Sequence, residues 1–183
     1  VFCINLKAEI SIDGVLDEKE WETARKIDTF YEVFPYSLKE ITDFKTDILI
    51  FENPNGIYIG FKNYQPNESM RSQNHERDDE MSLADKNGVS IDFDADGLIA
   101  YQFFVSSGGS IGDATYTNET EKSNDWDGDW LSGTTTGEDV WFTEFFIPWS
   151  IAPMKKQSGD IRKVKIGFYR MLAGYSRVIA TIK

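Results

Sequence analysis

Short runs in which large apolar and polar residues alternate, each closed by a turn signal, constrain this chain more than anything else in it. Successive side chains of a strand point to opposite faces, so a period of two marks a strand with one buried face. Residues 46–51 (TDILIF) and 57–62 (IYIGFK) form such a pair around Asn53-Pro54-Asn55-Gly56, whose Asn-Gly step suits a type I′ hairpin turn. Residues 89–94 and 98–105 form a second pair around Ala95-Asp96-Gly97. Residues 130–136 and 140–147 form a third around Gly137-Glu138-Asp139, stopped by Pro148, which has no N–H to give a ladder. Residues 164–171 and 178–182 read as two more strands, and 115–117 as a short edge strand. With a helical turn over 149–154 and long polar loops over 63–87 and 106–129, about ten strands predict an all-β fold, a two-layer antiparallel β-sandwich.

The size fits that architecture. At 183 residues the chain is one domain, 1–183, large enough to bury roughly 70% of the surface its unfolded form exposes. Aromatic residues make up 14% of it and supply the bulk that an interior between two sheets needs. The lone Cys3 offers no intrachain disulfide and no metal-site spacing, which leaves the compartment open. The excess of 31 acidic over 19 basic side chains, a formal charge of −12, repels a polyanion and argues against nucleic acid as a partner. No apolar run reaches the length of about 18 residues that a membrane-spanning helix requires.

Ahead of the strands stands Ile12-Asp13-Gly14-Val15-Leu16-Asp17-Glu18-Lys19-Glu20-Trp21, a tight turn followed by a short helix. Asp17 is placed to cap that helix, Glu20 to reach back to the Asp17 amide, and Leu16 and Trp21 to form a hydrophobic staple. A staple residue works only when buried, so Trp21 reads as structural.

Several polar constellations are candidates for chemistry. Asp92-Phe93-Asp94-Ala95-Asp96-Gly97 has the D-x-D-x-D-G spacing of a calcium loop, in which alternate carboxylates converge on a hard cation. Its twelfth position is Phe103, where an EF-hand needs Glu, so an Asp-Gly hairpin turn is the other reading. Asn124-Asp125-Trp126-Asp127-Gly128-Asp129-Trp130 mixes indoles with carboxylates and an amide, as a saccharide site requires: rings stack on the apolar C–H face of a pyranose while polar groups read its hydroxyls. Trp130, entering a strand, reads as core; Trp126 reads either as an edge cover or as a platform. Arg77, Asp78 and Asp79 lie in a polar loop, as an ion-pair knot or a ligand site. Arg170 shares a strand face with Ile166 and Phe168, and Glu144 shares one with Phe142 and Phe146, so both charges need partners: each other, or a ligand. The sole histidine, His75, has no nucleophile at a meaningful spacing, and no nucleophile elbow or phosphate loop occurs, so the chain does not read as an enzyme.

The opening segment, with the ordered series Arg77-Asp78-Asp79, residues 89–92, Tyr101-Gln102-Phe103, Gly109 with Asp113, Trp126-Asp127 with Trp130, residues 141–148 and 167–170, resembles the carbohydrate-binding modules of family 9 and the wider DOMON-like sandwiches. The resemblance runs from about residue 12 to residue 170, and is strongest to domains at the front of bacterial envelope proteins that continue into a region like an outer-membrane barrel. It implies a non-catalytic module for a saccharide or glycan terminus, in a fragment of a longer chain, whether attached to a glycoside hydrolase or to a barrel. It also implies a periplasmic, outer-membrane-associated or extracellular location. The partners it implies are carbohydrate and, by contact, the barrel or another envelope protein; a structural or interaction domain without sugar binding is the alternative. Sugar-binding members clamp a terminal sugar between two rings. No aromatic residue lies between Tyr64 and Val89, where one of them belongs, and Tyr175 is the candidate for the other. The expected carbohydrate-binding residues are Arg77, Asp79, Trp126, Arg170 and Tyr175; separately, the D-x-D-x-D-G spacing makes Asp92, Asp94 and Asp96 the candidate ligands for calcium, the candidate cofactor. Haem-binding relatives use Met, His or Lys as axial ligands, and Met70, His75 and Met81 fall in one loop.

Overall fold

The protein is described here by a computed structural model covering residues 10–79, 83–157 and 161–182. Its order is α1 (Lys19–Glu22), β1 (Arg25–Ile27), β2 (Tyr31–Phe34), β3 (Thr46–Asn53), β4 (Gly56–Tyr64), β5 (Lys86–Asp92), β6 (Ile99–Ser106), β7 (Ile111–Thr117), β8 (Glu121–Ser123), β9 (Leu131–Gly137), β10 (Val140–Pro148), β11 (Lys165–Leu172) and β12 (Arg177–Ala180). The strands form two antiparallel sheets. One has the order β1-β3-β4-β10-β9, the other β2-β12-β11-β5-β6-β7-β8. No helix among the described residues is long and apolar enough to cross a membrane.

The alternation that defines the strands also builds the interior. Ile57, Ile59 and Phe61 of β4, Val89 and Ile91 of β5, Phe103 of β6, Phe145 of β10 and Phe168 of β11 meet in one buried core. Trp130 is buried and stacks on Phe145, with centroids 5.8 Å apart and planes 9° from parallel, as expected for a core residue. A second cluster lies outside the five-stranded sheet, where Ile10, Leu16 and Trp21 pack with Tyr58 and Phe146. The N-terminal segment thus covers the outer face of that sheet.

Three local expectations need correction. The first hairpin closes with Asn53 opposite Gly56, so its two turn residues are Pro54 and Asn55, and neither has the positive φ of a type I′ turn. Pro54 fixes a negative φ, and the Asn53 carboxamide accepts from the N–H groups of Asn55 and Gly56 at 2.8 and 3.2 Å. At α1 the N-cap is Glu18 and not Asp17, with no side-chain cap bond. The Glu18 carboxylate instead joins the Ser11 N–H (2.8 Å) to the Trp21 indole N–H (3.1 Å). The edge strand expected at 115–117 is β7, seven residues long, because Gly112, Asp113 and Ala114 pair with β6 in spite of low intrinsic strand preference.

Glu144 and Arg170 do not pair. Glu144 accepts from the N–H groups of Asp13 (2.9 Å) and Gly14 (2.7 Å) beneath the N-terminal segment. Arg170 reaches from β11 across to the other sheet. It donates to Thr46 Oγ1 and Gln65 Oε1, both at 2.8 Å, and to the carbonyls of Phe44, Lys45 and Tyr64. Parity placed both charges on buried faces; those faces belong to different layers.

Candidate functional site

The outer face of the seven-stranded sheet carries a cleft of about 320 Å³, within the range usual for small-ligand sites. Tyr169 of β11 and Phe104 of β6 form its floor, and both owe their posture to glycine. In the register Gly88 of β5 lies between them, opposite Tyr169 on one side and Phe104 on the other, while Gly112 of β7 lies opposite Phe104. A Cβ on Gly88 would come within 1.9 Å of the Tyr169 ring, and one on Gly112 within 2.1 Å of Phe104 Cζ. Each ring therefore lies down over the glycine of the next strand, where an ordinary side chain would hold it upright.

Polar groups surround this floor. Gln102 of β6, Tyr116 of β7 and Lys122 of β8 line the cleft on one side and Lys86 of β5 lines it centrally. Lys86 Nζ donates to the Asp79 carbonyl at 3.2 Å and lies 5.3 Å from the Phe104 ring centroid; Lys122 Nζ lies 5.6 Å from that of Tyr116. Burial lowers the pKa of both ammonium groups, and the Asp79 and Asp78 carboxylates offset that effect at Lys86 and Lys122 respectively. Burial also raises the phenols of Tyr116 and Tyr169, so at neutral pH they keep the proton with which a hydroxyl donates. Flat apolar rings ringed by amine, amide and phenol groups suit an amphipathic ligand with one apolar face and many hydroxyls.

The residues singled out from the sequence fall mostly elsewhere. Arg77 braces a corner: its guanidinium contacts Asp113 (2.6 Å) and Asp127 (2.8 Å), and Asp113 also accepts from the Trp130 indole at 2.7 Å. Trp126 is half-buried edge-on against Tyr101 and Phe103, with centroids at 4.8 and 5.8 Å, covering the end of the core. Tyr175 leans on Phe44 beyond the end of β11, with 4.7 Å between centroids. Arg170, expected to touch a ligand, is fully buried, with its two terminal nitrogens engaged inside the sandwich and its Nε without a partner. Asp79 alone touches the cleft's surroundings, through its carbonyl on Lys86, while its carboxylate lies 3.4 Å from His75 Nδ1.

The calcium expectation does not fit the residues present. Asp92 accepts from the N–H groups of Asp94 and Gly97, Asp94 from Lys155 N–H and the Arg162 guanidinium, and Asp96 from Leu98 N–H and Lys155 Nζ. These oxygens serve a turn and three cations, Lys155, Arg162 and Lys165, and among the described residues no group of carboxylates, His or Cys is arranged to hold a metal ion. Of the haem candidates, Met70 and His75 do not line the cleft, and Met81 lies outside the described residues.

Sequence reasoning missed Tyr169, Phe104 and Tyr116. The available signal was parity: if Phe168 and Arg170 face inward, Tyr169 and Met171 face out, and an outward ring opposite a glycine is a candidate platform.

No protein-family pattern matches the chain, and no curated protein matches it in sequence. Solved structures do match in shape. A carbohydrate-binding module of family 9 from Caldicellulosiruptor kristjanssonii in complex with glucose superposes with a TM-score of 0.63 at 17% identity, over 94% of this chain and 81% of that one. The complex of a family 9 module from the same organism with cellotriose gives 0.60 at 18% identity, over 94% and 78%. A candidate carbohydrate-binding protein from Bacteroides uniformis gives 0.66 at 13% identity, over 87% and 77%. The chain therefore has the fold of the family 9 carbohydrate-binding modules.

Proposed function

We propose that the protein is a non-catalytic carbohydrate-binding module whose cleft on the seven-stranded sheet takes a saccharide. The observation that carries this reading is the half-buried Tyr169 ring laid flat over Gly88, with the buried Phe104 ring over Gly112 beneath Lys86 and with Gln102 and Lys122 alongside. A pyranose offers an apolar C–H face to such a floor and hydroxyls to such neighbours. Solved proteins of the same fold hold glucose and cellotriose, which supports saccharide as the ligand class.

Isothermal titration against glucose-, xylose- and galactose-based mono- and oligosaccharides tests the reading. Saturable binding by the wild type is expected, and Tyr169→Ala should weaken it about tenfold or more, since losing a stacking ring removes on the order of 1 kcal/mol beyond the buried area. Silence of the wild type across the panel would sink the proposal in favour of a structural or interaction domain.

Trp126 supplies the contrast. As a half-buried cover on Tyr101 and Phe103, its change to Ala should cost about 2 kcal/mol of stability and leave saccharide affinity intact. Lost affinity with an unchanged melting curve would move the site to that end of the sandwich.

A further inference from the structure

The row of rings in the cleft continues beyond it at one end, onto β2. Following the strand register across the seven-stranded sheet gives Tyr31 on β2, Ala180 on β12, Tyr169 on β11, Gly88 on β5, Phe104 on β6 and Gly112 on β7. Directly opposed residues of antiparallel strands share a face, so ring and small residue alternate from strand to strand along one row. Neighbouring strands lie about 4.8 Å apart, so the strands that carry successive rings are about 10 Å apart. β2 is bulged here, since Val178 lies opposite Phe34 while the next residue, Ile179, lies opposite Glu32, and the extra residue brings Phe34 onto the same face as Tyr31; the adjacent row runs from Phe34 to Val178, Met171 and Lys86. Val178, Met171 and Lys86 line the cleft, and Phe34 continues their row with 59% of its surface exposed.

We propose that this face binds an extended β-linked saccharide chain lying across the strands, with Tyr31 and Phe34 forming a second subsite for sugar units beyond those in the cleft. The inference rests on the reading of the cleft as a saccharide site. An extended β-linked hexose chain turns alternate units the same way, so equivalent ring faces recur at every second unit, a spacing comparable to two strand steps. A coiled α-linked chain presents no such straight repeat. The apolar stretch from Met171 through Val178 to Phe34 offers the intervening sugars a surface continuous with the floor.

The test is titration of the wild type with glucose, cellobiose, cellotriose and cellohexaose, with the corresponding xylose series, and with maltose and maltohexaose as the coiled comparison. In the β-linked series that binds, affinity should rise about tenfold from the disaccharide to the hexasaccharide, the worth of one or two additional stacking rings. Maltohexaose should show no gain over maltose. The Tyr31→Ala/Phe34→Ala double variant should abolish the rise and keep the disaccharide affinity. Phe34→Ala alone, at an exposed position, should remove part of it without disturbing the fold. Leu131→Ala, exposed on the five-stranded sheet, should change nothing. Length-independent affinity in the wild type, or a rise that survives the double variant, overturns the second subsite while Tyr169-dependent binding leaves the cleft standing. If no saccharide binds the wild type, both readings fall.

Discussion

Arg170→Ala is expected to cost more than about 3 kcal/mol of stability, the scale of leaving several buried polar groups without partners. The guanidinium is fully buried and 5.8 Å from the centre of the Trp141 ring, and two of its nitrogens serve five acceptors on the opposite sheet. Burial lowers its pKa, and Asp85 is the nearby charge that opposes the shift. Removing the side chain opens a cavity, leaves Gln65 Oε1 with only the Trp141 indole N–H at 3.4 Å, and takes a donor from the carbonyls of Lys45 and Tyr64 at the ends of β3 and β4. Arg170→Lys keeps the charge without the planar fork and should recover no more than half the loss. Denaturant unfolding reads both variants. If Arg170→Ala lay within about 1 kcal/mol of wild type, the inter-sheet tie would not be what holds these strand ends. Saccharide titration of Arg170→Lys separates this role from ligand reading: a folded variant should bind as wild type does, since the cleft lies on the other side of β11.

The same residue shows how far the sequence could be read. Period-two counting placed Arg170 on the buried side of its strand correctly, because a strand's alternation is a local property. Its partner was not local. Glu144 also alternates onto a buried face, but of the other sheet and toward its outside, where the segment at Asp13 and Gly14 comes to rest. Only the stacking order of layers distinguishes the two faces, and that order is set by tertiary packing. The three main hairpins were legible for the same local reason. β1, β2 and β8, three or four residues each, were not, since so short a segment carries no measurable period. The site failed to show for a related reason. Loop residues such as Trp126 and Arg77 drew attention through composition, yet Arg77 is consumed by Asp113 and Asp127. The cleft arises from cross-strand relations, Phe104 over Gly112 within one pair of consecutive strands and Tyr169 over Gly88 between strands far apart in the chain, and neither is visible from the period of one strand.

Glu144 makes the second large prediction, one of pH. Its carboxyl is fully buried, and burial pushes its pKa from 4.5 up to about 7; the carboxylates of Glu18 and Asp13 push the same way, and the N–H groups of Gly14 and Asp13 resist. The native state therefore holds a proton that the unfolded chain has released between those two values. Stability from this residue is fully present below about pH 4.5 and is lost as pH rises through about 7, the reverse of a salt-bridged acid. A difference of 2.5 pH units corresponds to about 3 kcal/mol. Glu144→Gln cannot titrate, so its unfolding free energy should change less between pH 5 and 8 than that of wild type, by about 2.5 kcal/mol, the part of the linkage that falls in that window. Denaturant curves at intervals across the range give the two slopes. Equal slopes would mean that water reaches the carboxylate, and the contact at Gly14 argues against this: a Cβ there would lie within 2.7 Å of the Thr134 backbone, so the segment is pressed onto β9. What matters is the slope, since Glu144 Oε1 has no hydrogen-bond partner and the amide of Gln would inherit that deficit at every pH.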